Sequence, residues 1–425
     1  MKVVMDAHIH SRFSRATSGN ITISNLERYG RMKGVNLIGT GDFTHPTWLS
    51  ELKENLIEDG SGILKTKTGF NFILTAEISN IYVQDGKQRR VHNIILSPSF
   101  DVVEQINSEL LKHGRLDYDG RPIFGFTCSE LVEMIMSICR ECMIIPAHIL
   151  TPWFSIFGSK SGFDSVEECF KDQTKHIHAL ETGLSSNPAM NWRVSSLDKY
   201  TLVSFSDAHS CNPWRLGREN CVLDVNKLTY KEITDTIKKK EKGFLFTTEF
   251  FPQEGKYFFD GHRNCNVSLH PKESIKMNNF CPVCKRKLTV GVLHRIEELA
   301  DRPEGFVPKN VIPFKSLIPL SELIKTILRI DTIYSKTVWE EYNKLIKEFK
   351  NELNVLLDVP KEELMKVTYE KVADTIIKVR EGEVKYIAGY DGVYGKPVFD
   401  EEEFKKREEK QKDVKIHTQK RLIDF

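Results

Sequence analysis

Short apolar runs alternate with amphipathic segments along the first 245 residues. Seven runs have the length and composition of strands, and they cover residues 3–7, 36–41, 70–76, 91–96, 143–147, 178–182 and 201–206. Intervening segments such as 21–33, 129–141 and 188–200 place apolar residues three or four positions apart, as helices do. This alternation predicts an α/β fold of parallel strands with crossover helices, and seven units are enough for a barrel or a strongly curved sheet.

Residues with metal-binding side chains follow nearly every predicted strand. The candidates are His8, His10, Asp42, Glu77, His92, His148, Glu181, Asp207 and His209. Side chains two positions apart on a strand face the same side, so His8 and His10 can point at one ion. Barrel strands place their active site at their C-terminal ends. Each residue alone has an ordinary explanation as a cap, a loop charge or a buried histidine, but their recurrence favours one shared site.

The mixture of imidazole and carboxylate ligands indicates which metals and which chemistry to expect. Such ligands suit Zn, Mn or Fe better than Ca or Mg alone. About eight ligands exceed the needs of one ion, so we predict two or three divalent ions (Zn, Mg or Mn). A centre of this kind hydrolyses phosphate esters, with Asp207 bridging the ions or orienting the attacking water.

The motifs around these residues resemble those of the polymerase-and-histidinol-phosphatase (PHP) superfamily. They are His8-Ile9-His10-Ser11, the segment at Asp42, Glu77, His92, Pro146-Ala147-His148 and Asp207-Ala208-His209. The resemblance implies a distorted seven-stranded (β/α)7 barrel with a multinuclear metal centre, in which we expect Asp207, His148 and Glu181 to be catalytic. One motif departs from the pattern, because Thr-Gly-Asp-Phe stands where the family often has Thr-Asp-His. His45 is therefore a rival to Asp42.

A second metal site is predicted in the segment 246–302, which we expect to be a small zinc-binding domain. His262-x-x-Cys265 and Cys281-x-x-Cys284 have the spacing of two knuckles that form one tetrahedral zinc site. His270 and His294 are alternative candidates for the fourth ligand. Such a closed site folds a segment whose own core is too small.

The last third of the chain has helical periodicity, which predicts a helical domain over 303–400 after a proline-rich stretch. The remaining residues, 401–425, are expected to be a charged linker and a tail. In that tail Gln419, Leu422 and Phe425 resemble the short peptide that binds sliding clamps of the PCNA type. One helical turn would place Leu422 and Phe425 on the same face.

Aromatic and cationic residues in several loops are candidates for contacts with nucleic acid. Trp153, Phe154 and Lys160 follow the predicted ligand His148, and stacking on bases or binding of phosphates would use such side chains. Packing beneath the loop is the equally weighted alternative. The other candidates are Arg193, Tyr390 and Lys396.

Composition excludes some classes of protein without selecting one. The chain has 425 residues, and its 61 basic and 59 acidic residues leave a net charge of +2. Its length allows roughly two to four domains. Nine mostly isolated cysteines indicate reduced thiols. We find no signal-peptide pattern and no apolar stretch of about 18 residues, so we expect a cytoplasmic protein without a membrane partner.

The order of barrel, Cys/His knuckle, helical region and clamp-like tail resembles a DNA repair endonuclease of the PHP superfamily. The resemblance implies hydrolysis of the phosphodiester 5′ to a deaminated base (hypoxanthine, uracil or xanthine) or an abasic site in double-stranded DNA, with help from the clamp. Two alternatives remain open. A small-molecule phosphatase such as histidinol-phosphate phosphatase would not need the knuckle, the helices or the tail. A non-catalytic DNA-binding scaffold would not need ligands after so many strands.

Overall fold

The computed structural model describes residues 1–240, 242–399, 402, 404 and 405. Its strands are β1 (Lys2–Asp6), β2 (Leu37–Gly39), β3 (Ile57–Glu58), β4 (Leu64–Lys65), β5 (Asn71–Gln84), β6 (Lys87–Ser97), β7 (Ile123–Phe124), β8 (Met143–Pro146), β9 (Ala179–Glu181), β10 (Thr201–Val203), β11 (Asn220–Asp224), β12 (Phe244–Glu249), β13 (Asp260–His262), β14 (Val267–Leu269), β15 (Phe314–Ser316), β16 (Lys385–Ile387) and β17 (Lys396–Val398).

The α-helices are α1 (Ile23–Lys33), α2 (Pro46–Asn55), α3 (Phe100–Leu110), α4 (Cys128–Ile138), α5 (Val166–Phe170), α6 (Pro188–Asn191), α7 (Tyr230–Lys239), α8 (Pro271–Ser274), α9 (Val292–Leu299), α10 (Leu320–Ile327), α11 (Lys336–Phe349), α12 (Glu352–Leu357), α13 (Lys361–Met365) and α14 (Glu370–Arg380). Short 3-10 helices cover Lys171–His176, Ser195–Leu197, Pro252–Glu254, Arg263–Cys265 and Ile275–Met277.

Seven strands close into a ring, in the order β1, β2, β5, β6, β8, β9 and β10. Two isolated parallel bridges complete it. Ile144 pairs with Ile177 between β8 and β9, and Ile9 pairs with Ala208 between the ends of β1 and β10. Each ring strand overlaps one of the seven predicted runs, so the expected distorted seven-stranded α/β barrel is confirmed.

One ring strand runs against the others, which corrects the expectation of parallel strands throughout. β5 and β6 form a long antiparallel hairpin around a turn at Asp85 and Gly86, and β6 is also antiparallel to β8. His92 is the middle residue of the reversed strand, opposite Ser79 of β5. The reversal therefore brings His92 to the same rim as residues that follow the C-terminal ends of the other strands.

The ring encloses an apolar core to which every strand contributes. Its members include Met5, Leu37, Ile73, Ile94, Ile145, Ala179 and Val203, all at most 1% exposed. Side chains from all seven strands contact one another as one cluster only if they point into the ring. A second cluster packs the outer faces of the strands against the helices. The rim therefore rests on a rigid, close-packed base.

Local sequence signals set the helix ends. Thr22 caps α1 through its side chain, which accepts a hydrogen bond from the Asn25 amide, and Gly34 ends the helix with φ of 96°. The helix expected over 188–200 is shorter than predicted: only α6 and a 3-10 turn form, because the Arg193 carbonyl accepts from the amides of Asp301 and Arg302. Among the described residues, no helix combines the length and apolar character that crossing a membrane requires.

The segments after the ring return to it. β11 and β12 extend the sheet beyond β1, and β15 pairs in parallel with β12 after the excursion through the Cys/His segment. A buried ion pair links the ring to helices α10–α14: Lys33 Nζ lies 2.7 Å from Glu352 Oε1. Glu352 also accepts hydrogen bonds from the Tyr342 hydroxyl and the Leu320 amide. The helical region therefore sits against the ring through a fully bonded buried carboxylate.

Candidate metal centre

The first and last ring strands end in two arms that are bonded to each other. The His10 amide donates to the Ala208 carbonyl at 3.0 Å, and the Ala208 amide donates to the His8 carbonyl at 3.3 Å. This pairing brings together His8, His10 and Asp207, whose ligand atoms all lie within 4.8 Å of one another. His10 Nε2 is 3.1 Å and His8 Nε2 is 3.6 Å from Asp207 Oδ1. The three form the first cluster.

The second cluster comes from the middle strands. Glu77 of β5, His92 of β6 and His148, which follows β8, also have ligand atoms within 4.8 Å of one another. Glu77 Oε1 is 2.8 Å from His92 Nδ1 and 3.2 Å from His148 Nε2. All three residues are buried. Sequence positions 71 apart are thus brought to one point of the rim.

Glu77 also reaches the first cluster. Its Oε2 is 3.3 Å from His10 Nε2, and its Oε1 is 3.6 Å from His8 Nε2. The carboxylate therefore stands between the two clusters, with Oε2 toward His10 and Oε1 near residues of both clusters. From the sequence we expected Asp207 to bridge the ions or to orient the attacking water, and Glu77 is a second carboxylate that lies close to both clusters.

Asp42 and Glu181 lie behind the histidines instead of joining the clusters. Glu181 Oε1 is 2.9 Å from His8 Nδ1, and its Oε2 accepts the His148 amide at 2.7 Å. Asp42 Oδ1 is 3.1 Å from His10 Nδ1, and its Oδ2 accepts from the Ser11 amide and the Ser14 hydroxyl. Such carboxylates fix the orientation of the ring and leave its other nitrogen toward an ion.

Two other predicted ligands lie at the margin. His209 packs its ring 4.6 Å from that of His10, and its Nδ1 is 2.9 Å from the Asp207 carbonyl oxygen and 3.5 Å from Asp207 Oδ1. His45, the rival to Asp42, stands at the N-terminus of α2 and stacks on Phe13 at 4.4 Å. The geometry therefore favours Asp42 over His45 at this part of the site.

The backbone is held in a left-handed conformation at three of these positions. The φ angles are 44° at Asp42, 31° at His148 and 47° at Asp207. Non-glycine residues adopt this region rarely, and such residues concentrate at functional sites. At His148 the neighbouring Gly183 has room for no side chain, because a Cβ there would lie 2.5 Å from the His148 Cβ.

Charge compensation dominates the electrostatics of the rim. Burial disfavours a charged His8, but Glu181, Glu77 and Asp207 outweigh it and hold the pKa of His8 well above its usual value. Burial likewise opposes a charged Asp207, yet His8 and His10 keep its pKa well below the usual range. Burial prevails at His92, where it lowers the pKa to about 4.

These residues fit divalent metal ions. His8 Nε2 is buried and has no hydrogen-bond partner among the described residues, although Nδ1 of the same ring is bonded to Glu181. An unpartnered buried ring nitrogen facing two carboxylates is the arrangement of a metal ligand. Imidazole and carboxylate donors together suit Zn, Mn or Fe. Cluster geometry therefore supports metal use at the rim.

Arg121 is a site residue that the sequence analysis did not select. Its Nη1 lies 3.1 Å from Glu77 Oε2, and about a quarter of its side chain is exposed. The preceding Gly120 packs so closely on Asp42 that a Cβ would lie 2.1 Å from Asp42 Oδ2. The Asp119 carboxylate accepts the Arg121 amide. The loop thus fixes a guanidinium at the mouth of the site; no periodic pattern in the sequence marks it.

The second metal site assembles as its spacing predicts. The ligand atoms of His262, Cys265, Cys281 and Cys284 all lie within 4.8 Å of one another. Cys284 Sγ is 3.4 Å from His262 Nδ1. The alternatives are engaged elsewhere, because His294 Nδ1 is 2.5 Å from Asp260 Oδ2 and His270 Nδ1 accepts the Lys272 amide.

The structure separates the DNA-contact candidates into buried and exposed groups. Arg193 is buried and forms a two-pronged ion pair with Glu297 at 2.8 and 3.0 Å, so its donors are used within the protein. Tyr390 is 8% exposed and donates to Asn266 Oδ1. These two positions contradict a role in contacting DNA. Residues at or near the surface are Trp153, Phe154, Lys160 and Lys396, whereas Gln419, Leu422 and Phe425 lie outside the described residues.

A seven-stranded α/β ring whose rim carries two clusters of imidazole and carboxylate ligands has the arrangement of a metal-dependent hydrolase. Among solved structures, endonuclease Q from Pyrococcus furiosus is 32% identical, with 94% of this chain and 96% of that chain covered and a TM-score of 0.85. A complex of endonuclease Q with a 27-mer duplex that carries an abasic lesion is 32% identical over 95% of this chain and 98% of that chain, with a TM-score of 0.84. The chain belongs to the endonuclease Q family of metal-dependent DNA endonucleases.

The sequence relatives match this chain over stretches of different length. YqxK of Bacillus subtilis is 28% identical over 414 residues, which are 93% of this chain and 99% of that protein. MJ0043 of Methanocaldococcus jannaschii is 32% identical over 257 residues, 59% of this chain, and the chain spans only 31% of its length. A family model described as the MJ0043 C-terminal domain matches residues 319–383, which contain α10–α14.

Proposed function

We propose that the protein nicks double-stranded DNA at damaged nucleotides. It hydrolyses the phosphodiester 5′ to an abasic site or a deaminated base (hypoxanthine, uracil or xanthine) and leaves a 3′-hydroxyl. The observation that carries the proposal is the pair of ligand clusters that Glu77 joins at the rim. Support for a damaged substrate comes from endonuclease Q, which has been crystallised with an abasic lesion at its active site.

Each of the two clusters would bind one ion. His8, His10 and Asp207 would hold one ion, Glu77, His92 and His148 a second, and His209 is the candidate for a third. Divalent ions bound there would lower the pKa of a water molecule and stabilise charge on the phosphate oxygens.

The chain's own residues supply position and charge. About a quarter of the Asp207 side chain is exposed, so it is placed to accept a hydrogen bond from the attacking water. Arg121 faces the same mouth and offers a forked pair of N–H donors to a phosphate oxygen. Glu181 is completely buried and bonded to His8 and to the His148 amide. We therefore propose that it positions these two histidines and does not contact the substrate.

Damage would be recognised through extrusion of the nucleotide from the helix. A base within a duplex is out of reach of a site this deep, so the damaged nucleotide must flip toward the rim. Flipping requires the least energy where pairing or stacking is already weak. That requirement favours an abasic site or a mispaired deaminated base over intact DNA.

The remaining parts of the chain have supporting roles in this proposal. The segment 246–302 binds structural Zn through His262, Cys265, Cys281 and Cys284, and the helical domain 303–400 grips DNA beside the hydrolase domain 1–245. The tail 401–425 binds a PCNA-like sliding clamp through Gln419, Leu422 and Phe425. DNA as substrate and the nine free thiols support the expected cytoplasmic location.

The test is a nicking assay with duplexes that each carry one defined lesion and a matched undamaged duplex, with the products mapped on a sequencing gel. We expect cleavage 5′ to the lesion only. Asp207→Asn should abolish cleavage and leave DNA binding largely intact, whereas Asp198→Asn, a charge change outside the site, should cleave normally. Release of phosphate from histidinol phosphate without nicking would support the phosphatase alternative, which no contact in the described residues favours.

A further inference from the structure

Aromatic side chains from three separate segments meet beside the metal centre. Trp153 lies in the loop after His148, Tyr257 lies between β12 and β13, and Tyr394 lies between β16 and β17. The Trp153 and Tyr257 rings meet edge to face with centroids 5.5 Å apart. Lys256 Nζ lies 5.8 Å from the Tyr257 centroid and 5.6 Å from that of Tyr394. We call these four residues the aromatic row.

The row lies at the surface of the protein. Trp153 is 37% exposed and Tyr394 is 66% exposed, and Lys256 is exposed between the two tyrosines. The backbone nevertheless fixes its position, because the Gly392 amide donates to the Lys256 carbonyl and the Val292 amide to the Tyr257 carbonyl, each at 2.8 Å. A rigidly placed set of exposed aromatic rings flanking a cation is a binding surface more than a packing surface.

The row is joined directly to the metal centre. Phe154, the neighbour of Trp153, packs its ring 4.8 Å from that of the ligand His92, and its carbonyl accepts the His92 amide. Thr151 contacts the other ligand of this cluster, since its hydroxyl is 3.2 Å from His148 Nδ1 and also donates to the Trp153 carbonyl. Trp153 is therefore connected to the second cluster through its neighbours Phe154 and Thr151.

Positive charge continues on the other side of Trp153. A cleft of about 790 Å³ is lined by Trp153 together with Lys87, Arg90 and Lys160. Lys87 and Lys160 are exposed, and Arg90 lies over the Phe154 ring at 5.6 Å. Of the acidic residues in the same cleft, Asp164 and Glu298 both pair with Arg295, and Glu168 accepts the Asp164 amide. The approach to the row thus offers free cations to a phosphate backbone.

We propose that the aromatic row binds unpaired DNA bases next to the damaged nucleotide, so that the enzyme opens a short single-stranded stretch beside the nick. The inference rests on the proposed function and adds a substrate conformation to it. Flat aromatic faces stack on bases only when the bases are unpaired, since a duplex hides their faces within its own stack. Lys256, between two rings, is placed to neutralise the phosphate that joins two stacked bases.

The experiment measures binding of a labelled 12-nucleotide oligothymidylate and of a blunt 12-base-pair duplex to the full-length Asp207→Asn protein. We expect Tyr394→Ala and Tyr257→Ala to weaken oligothymidylate binding about tenfold or more, because base stacking contributes about that much per residue. Tyr394→Phe should bind within about twofold of the parent. Leu111→Ala, which removes an exposed apolar side chain at the C-terminal end of α3, outside the aromatic row and outside residues 303–400, should change nothing.

Two further readouts, tryptophan fluorescence and the salt dependence of binding, separate stacking from a merely structural role. Oligothymidylate should quench tryptophan fluorescence, and Trp153→Phe should remove that quenching while most of the affinity stays. Lys256→Ala should make the plot of log affinity against log salt shallower by about 0.7, the value for one phosphate on a single strand. Row variants that bind oligothymidylate as the parent does, or that lose duplex binding equally, would overturn the inference.

Failure of the proposed function gives a different result. If the wild-type protein does not nick the abasic duplex, the endonuclease proposal fails whatever the row binds. If it nicks normally and the row variants keep full affinity for oligothymidylate, only the inference about the row fails. Tyr394 is mostly exposed, so an unchanged thermal midpoint for Tyr394→Ala would show that any loss of binding is not a loss of folding.

Discussion

The candidate metal centre at the rim of the barrel and the Cys/His site are built in opposite ways. Rim ligands come from positions as distant as His8 and Asp207 and stand on an apolar core to which seven strands contribute. The Cys/His ligands lie within residues 262–284, and the buried cluster beneath them consists of Val267, Leu269, Cys281 and Leu288. The rim therefore rests on a large core of its own, whereas the Cys/His segment has a small one, and we expect an ion bound there to contribute to its folding.

The largest expected difference between the two sites follows from removing one thiolate of the Cys/His site. Cys281→Ser removes a ligand that is itself part of the small core. Metal binding stabilises isolated zinc fingers by roughly 10–16 kcal/mol, so we expect the segment to unfold locally. Hydrogen exchange should show loss of protection in β13 and β14 and unchanged protection in β1. Cys139→Ser is the matched control; persistent protection in β13 of Cys281→Ser would show that the segment folds without its ion.

Removing one ligand at the rim should abolish DNA cleavage and leave the stability of the fold nearly unchanged. Glu77→Gln keeps the shape of the side chain and removes the charge that joins the two clusters. We expect nicking of an abasic duplex to fall at least about a thousandfold, which corresponds to roughly 4 kcal/mol of barrier. The thermal midpoint should stay within a few degrees of the wild type. Glu104→Gln, at an exposed ion pair, serves as control, and unfolding of Glu77→Gln would remove the contrast between the sites.

A buried carboxyl near the ring makes the stability of the larger domain depend on pH. Burial raises the pKa of Glu249 to about 7, although Thr247 and Thr182 donate hydrogen bonds to it. The folded state therefore binds the proton more tightly, and stability falls as pH rises from about 4.5 to about 7. The fall amounts to about 3 kcal/mol. Urea titrations at pH 5 and pH 8 should give Glu249→Gln a smaller difference in unfolding free energy between the two pH values than the wild type has. The same difference in both proteins would contradict the assignment.

A milder change tests whether the carboxylates behind the rim only orient ligands. Asp42→Asn keeps the residue and alters its bond to His10 Nδ1. Loss of such a partner typically weakens metal affinity 10–100-fold. Calorimetric titration of the metal-free protein with Zn²⁺ or Mn²⁺ should show this loss, and Asp101→Asn on the surface should not. A complete loss of ion binding would instead make Asp42 a direct ligand.

The smallest expected effect concerns Arg121. Arg121→Ala should weaken binding of an abasic duplex to the uncleaving Asp207→Asn protein about tenfold and reduce the salt dependence by about one phosphate contact. Arg115 lies in the same loop but is paired on the surface with Asp117, so Arg115→Ala is its control. Equal salt dependence in both variants would show that Arg121 only balances the charge of Glu77.

The sequence was informative about the ring because apolar runs and the residues after them are local features. All seven ring strands and the four Cys/His ligands were predicted in this way. The reversed strand was not, because alternation of apolar residues does not record strand direction. A signal was present, since Asp85-Gly86 between two apolar runs is a strong hairpin turn.

The sequence could not predict which carboxylates join the ligand clusters and which lie behind the histidines. Asp42 and Glu181 have the same chemistry as the ligands, and only the three-dimensional arrangement places them behind His10 and His8. Arg193 and Tyr390 have side chains typical of nucleic-acid contacts, but tertiary packing buries both. Burial depends on partners such as Glu297, about a hundred residues away, which a local pattern does not identify.

The length of the β5–β6 hairpin can change without changing the orientation of the two ligands it carries. Glu77 lies in the fourth residue pair from its open end and His92 in the sixth of eleven, and the strands continue beyond them to the turn at Asp85 and Gly86. Because the pleat repeats every two residues, the arm could gain or lose matched pairs at its tip and keep both ligands facing inward. A single unmatched insertion below the tip would rotate one of them out of the centre. Evolution or an engineer can therefore resize this arm freely only in even steps.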